Sequence, residues 1–99
     1  MIVWKLFRQM KDGSIAPIFI DKRLRLKPGV WYEARLIPTP GFSPRKGFHV
    51  TAQPVAPHLN SKREKRVWKQ VEIEDYTELK RPESQGGLWY IANRMRVLE

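Results

Sequence analysis

The prolines and glycines of this chain leave little room for a long regular element. Eight prolines and six glycines are spread over 99 residues. Between them the apolar residues follow period 2, and no segment carries the long 3.6-residue stripe of an amphipathic helix. Pro38-Thr39-Pro40-Gly41-Phe42-Ser43-Pro44 removes three backbone donors within one short loop, so no sheet ladder can run through it. The chain is therefore expected to fold from short strands joined by turns.

The alternation places those strands. Ile2 to Gln9 reads as the first, with Ile2, Trp4, Leu6 and Arg8 on one face and Val3, Lys5 and Phe7 on the other. The face holding Trp4 and Leu6 is the more apolar, which puts Arg8 in line with a buried side. Lys11-Asp12-Gly13-Ser14 is a turn. Ile15 to Ile20 is a second strand that Pro17 confines to an edge or bulge. Asp21 to Lys27 alternates basic and apolar residues; Val30 to Ile37 and Phe48 to Gln53 are further strands. Pro54 to Ser61 holds either a short helical turn or irregular chain. Val67 to Glu74 is the cleanest alternation, with Val67, Lys69, Val71 and Ile73 opposite Trp68, Gln70, Glu72 and Glu74. Tyr76 to Pro82 reads as polar and irregular. Leu88 to Ala92 is a strand, and the pattern resumes after a break from Asn93 to Leu98. The expected fold is mostly β (a β-rich α+β class), one compact domain over residues 1–99 with six or seven short strands and at most one or two short helices.

Composition excludes several chemistries. With no cysteine, disulfides, thiolate metal sites and a cysteine nucleophile are ruled out. Two histidines cannot make a metal site alone, and no carboxylate spacing matches a metal motif, so no metal is expected. No apolar run reaches the roughly 20 residues that span a bilayer, and the N-terminus is too short and interrupted for a signal peptide. A cytoplasmic protein without membrane contact is expected. There is no phosphate-binding glycine loop and no Gly-x-Ser-x-Gly elbow.

The candidate chemical residues are few. Glu72 and Glu74 share a strand face, where like charges raise one carboxyl pKa, but an exposed strand carries such pairs routinely. His49 lies in Gly47-Phe48-His49-Val50-Thr51, on the same face as Gly47 and Thr51, with Phe48 and Val50 turned the other way. Either a ligand approaches over Gly47, or the ring bonds a neighbouring backbone group. His58 follows Pro57 in a loop and reads as solvent-facing. Arg8 suits a carboxylate or phosphate, or packs its stem and sends its head to water.

A first strand ending "KLFR", a loop-rich stretch, then "GFHVTAQPVAPHL" and the strand "VWKQVEI" resembles the ADP-ribosyltransferase-like superfamily. The resemblance implies an Arg or His ending an early strand, here Arg8, and a Gly-aromatic-His-x-Thr stretch, here carrying His49 and Thr51, followed by Pro54 and Ala56. It implies NAD as cofactor, with Arg8 on a phosphate or carboxylate, His49 on the nicotinamide-side ribose and Thr51 shaping the floor. Glu83 is then the nearest glutamate for stabilising positive charge on the ribose. Gln9 stands where a glycine often follows the arginine in that superfamily. The chain is also similar in general appearance to small proteins of phages and mobile elements.

Charge is the strongest global signal. Nineteen Lys and Arg face ten Asp and Glu, a net charge of +9, which favours an anionic partner. The cations cluster: Lys22, Arg23, Arg25 and Lys27; Arg45 and Lys46; Lys62, Arg63, Lys65 and Arg66; and Arg94 with Arg96. Trp31, Tyr32, Trp68, Trp89 and Tyr90 offer stacking surfaces wherever the fold leaves them exposed. No zinc finger, RNP-like signature or helix-turn-helix pattern is present, so any nucleic-acid binding would rest on charge with weak sequence preference. Three functional readings follow. The first is a small basic binding module for nucleic acid or an acidic protein surface. The second is an ADP-ribosyltransferase-like NAD-binding domain or its inactive relic. The third is a protein inhibitor of a host factor, touching its target through Pro38 to Pro44 and the acidic strip Glu72 to Glu78.

Overall fold

A computed structural model describes residues 1–18, 24–34, 47–59 and 65–98. Six strands among them form one antiparallel sheet: β1 (Ile2–Gln9), β2 (Ile15–Ala16), β3 (Trp31–Glu33), β4 (Phe48–Thr51), β5 (Arg66–Lys80) and β6 (Leu88–Val97). The only helical pieces among the described residues are single 3-10 turns at Pro57–Leu59 and Glu83–Gln85. None is long or apolar enough to cross a membrane. The expected β-rich single globule is what the chain forms.

The pairings close a ring. β1 pairs with β4, β4 with β6, β6 with β5, and β5 returns to β1. β2 extends this ring along β1, and β3 extends it along β6. Among the described residues, closure leaves fewer unpaired edges than an open sheet of the same strands would expose. The core within it is drawn from β1 (Val3, Phe7), β2 (Ile15), β4 (Val50), β5 (Val71, Ile73) and β6 (Ala92, Met95, Val97), with Leu26 added beside β2. The turn at 10–14 is held by Met10 N–H on the Ser14 carbonyl (2.8 Å) and by Asp12, whose carboxylate accepts from the Ser14 amide and hydroxyl.

The structure corrects two expectations from the sequence. First, the core takes the Val3–Phe7 face of β1, not the face bearing Trp4, Leu6 and Arg8; Val3 and Phe7 are 3% and 0% exposed. The cause lies across the strand pair. Val3 and Phe7 meet Val71 and Val67 of β5, whereas Ile2, Trp4 and Arg8 meet Glu72, Gln70 and Arg66. Second, Tyr76 to Lys80 is not irregular. β5 runs on to Lys80, with Tyr76, Thr77, Glu78, Leu79 and Lys80 opposite Ala92, Ile91, Tyr90, Trp89 and Leu88. β6 is likewise one strand, without a break at Asn93.

Candidate anion-binding face

The β1–β5 ribbon supplies the most distinctive juxtaposition. Its register sets Trp4 opposite Gln70, Leu6 opposite Trp68 and Arg8 opposite Arg66 on the outward face. Between them, Lys5 lies opposite Lys69 on the other face. Like charges directly across a strand pair oppose each other, and here two such cationic pairs occur within four residues of β1. Lys65, exposed, precedes Arg66, and its carbonyl accepts the Gln9 amide. Arg66 donates from its guanidinium to the Leu59 carbonyl, which fixes the head.

The basic end continues sideways. β2 pairs with Arg8 and Gln9, and Ile15 of β2 bridges to Leu26. Arg25 and Lys27, both exposed, flank that buried leucine. Tyr32 holds the segment from the side: its hydroxyl accepts the Lys27 amide at 2.8 Å and donates to the Arg25 carbonyl at 3.5 Å. The lateral order is thus Arg25 and Lys27, then β2, then Arg8, then Arg66 with Lys65. Lys22, Arg23, Arg45, Lys46, Lys62 and Arg63 lie outside the described residues.

Asp12, in the turn after β1, feels the Arg25 charge, but most of the acids lie elsewhere. Residues 1–69 hold fifteen of the nineteen cations and four of the ten acids, so the surplus belongs to that part. From the middle of β5 onward, Glu72 pairs with Arg96, Glu74 with Arg94, and Glu33 of β3 lies 3.7 Å from Arg94. Both guanidiniums stack on Trp31, at 4.8 and 4.9 Å from the ring centre. Arg94 and Arg96 are consequently committed to a structural ladder.

A groove of about 390 Å³ opens on the β1–β5 face, lined by Trp4, Trp68, Lys69, Gln70 and Leu98. Leu98 is placed there by its amide, which donates to the Gln70 carbonyl at 3.1 Å. Sequence reading set Trp68 among possible stacking residues but overlooked Trp4, Lys69, Gln70 and Leu98. The signal within reach was the alternation of Trp68 with Gln70, Glu72 and Glu74, which marks an outward tryptophan.

The His49 neighbourhood is differently built. Val50 is fully buried and Phe48 packs on the core, as the alternation implies. His49 lies opposite Ile91, and its carbonyl accepts a 2.9 Å bond from the Lys5 ammonium. The space expected over Gly47 is occupied, since a Cβ there would overlap Ile91 Cγ2. Thr51 is fully buried; its hydroxyl donates to the Leu88 carbonyl (3.2 Å) and accepts the Gln53 amide (3.4 Å). Glu83 opens an exposed 3-10 turn between β5 and β6, away from the strand positions of Arg8 and His49 in the pairing order. His58 stands edge-on to Trp89 with ring centres 6.0 Å apart. Partial burial, then the Arg81 charge, lowers its pKa below the usual imidazole value.

Lys5 is the most perturbed titrating group described. Its ammonium reaches the His49 carbonyl and lies 5.8 Å from the Phe7 ring centre. Desolvation by burial pushes its pKa down to about 8. Among the described residues no three His, Asp or Glu side chains gather as metal ligands. No protein-family model matches the chain, and neither curated proteins nor solved structures yield a match.

Proposed function

We propose that this domain is a small basic binding module whose partner is nucleic acid, held by the cationic end of the β1–β5 ribbon. The observation that carries the reading is the separation of charge. Arg8, Lys65 and Arg66 gather at one end of the paired strands with Arg25 and Lys27 beside them, while Glu72 and Glu74 are engaged by Arg96 and Arg94. A surface of one sign attracts a polyanion by releasing its condensed counterions. Tryptophans on the same face favour nucleic acid over an acidic protein, because every base offers a π-face. The ADP-ribosyltransferase-like reading asks for NAD against Arg8, His49 and Thr51. Thr51 is closed off and Ile91 fills the room beside Gly47, so the observations weigh toward the outward face.

The test is a salt titration of oligonucleotide binding, followed by fluorescence anisotropy, with polyglutamate in a parallel arm. With some five cations engaged, log K should fall against log salt with a slope approaching about −3.5 for a single strand. Equal affinity for polyglutamate would move the partner to an acidic protein. No binding at low ionic strength would reject the proposal.

A further inference from the structure

We infer that the Trp4–Trp68 groove is a stacking site for unpaired bases, which makes the preferred ligand a single strand whose phosphates run toward Arg8, Arg66 and Lys65. The inference rests on the nucleic-acid reading above and adds what the charge alone does not decide, the strandedness of the ligand.

Four observations carry it. Trp4 and Trp68 are diagonal neighbours across the ribbon, since Trp4 faces Gln70 and Leu6 faces Trp68; side chains so placed lie within mutual reach. Both are only half-buried, on the side of β1 that the core does not use. The groove they line, about 390 Å³, is at the small end of ligand-site volumes and suits a flat heterocycle. Gln70 is exposed on its wall and offers both an amide donor and a carbonyl acceptor to a base edge.

Charge gives the path a direction. Successive outward positions on a strand are about 6.7 Å apart. From Trp68 one such step reaches Arg66, and from Leu6 one step reaches Arg8. In the opposite direction the step from Gln70 reaches Glu72, which is held by Arg96. A phosphate chain therefore meets Arg66, Lys65 and Arg8 at one end of the groove and the Glu72–Arg96 ion pair at the other. In a duplex the base faces are already stacked and unavailable to an indole, whereas a single strand presents them.

The experiment compares the intact chain with a deoxythymidine oligomer of about twelve nucleotides, a length within the span of single-strand sites on small β domains, and with a hairpin duplex of matched charge. The single strand should bind more tightly. Trp68→Leu should weaken single-strand binding about tenfold and leave duplex binding unchanged, whereas Trp68→Phe should retain most of the affinity. Photocrosslinking of an oligomer carrying 5-iodouracil to the unsubstituted protein gives a readout independent of any variant's folding. Crosslinks should map to the peptides holding Trp4 and Trp68. Equal affinity for both ligands with Trp68→Leu silent, or crosslinks confined to Trp31 or Trp89, would overturn the inference and leave charge-driven binding standing. Binding of neither ligand at low salt would remove both.

Discussion

At the scale of single residues, two positions carry measurable strain or cost. Gly47 has φ of +139° and sits against Ile91. Gly47→Ala should lose about 2–3 kcal/mol in urea unfolding, from the backbone conformation and the overlap together. Gly13 has φ of +87° with nothing near its absent Cβ, so Gly13→Ala should cost only about 1 kcal/mol. Adding Ile91→Ala to Gly47→Ala should recover part of the loss, and a strictly additive double mutant would show that the contact is not its source. Lys5 makes a pH prediction. Its folded pKa of about 8 lies below the ordinary 10.5, so between those values the unfolded chain binds more protons than the folded one. Stability then rises with pH across that window, because the cost of burying the ammonium fades as it deprotonates. Unfolding at pH 7.5 and pH 10 should show the native protein gaining on Lys5→Met as pH increases; parallel profiles would contradict the assigned burial.

At the scale of elements, β5 is the organising piece. It serves β1 with its first half and β6 with its second. The handover falls at Val71 and Glu72, which pair with both; just beyond lies Asp75, a described non-glycine residue with positive φ, +52°. Aspartate tolerates that region because its short side chain can bond locally; here the carboxylate accepts from the Asn93 side-chain amide at 2.8 Å. Opposite, the buried residues of β6 fall at Trp89, Ala92, Met95 and Val97, so the facing rule slips on both sides of this point. Asp75→Asn should be nearly silent, while Asp75→Val should cost about 2 kcal/mol, since a β-branched residue is strained there. Thermal melts of the two variants decide it, and equal melting points would dispose of the strain argument. The same slip explains why the second half of β5 reads as irregular in the sequence: strict alternation breaks at Asp75, although the hydrogen-bonded ladder continues.

At the scale of the whole molecule, the net charge of +9 is less informative than its division. Some of the cations are spent inside the fold, as Arg94 and Arg96 are on Glu74, Glu72 and Trp31. Removing two charges at the basic end, in Lys65→Gln with Lys27→Gln, should flatten the salt slope of single-strand binding by about 1.4. Lys80→Gln, at the acid-rich end of β5, should leave it unchanged. An equal effect from both would mean that net charge, rather than its placement, drives association.

Local pattern was enough to write down the β class, the bounds of β1, the turn at Lys11 to Ser14 and the inward side of β4 and of the first half of β5. Period 2 and turn chemistry are properties of neighbouring residues, so a linear reading reaches them. Three features came from register alone: which side of β1 enters the core, which arginines meet acids, and that Trp4 and Trp68 share a groove. The first and third depend on residues more than sixty positions apart in the chain being set opposite one another, and the second on the β5–β6 register, which brings together partners 20 and 24 positions apart. A shift of one residue in that pairing would exchange the two faces of β5, and nothing in the composition of either strand records the alignment.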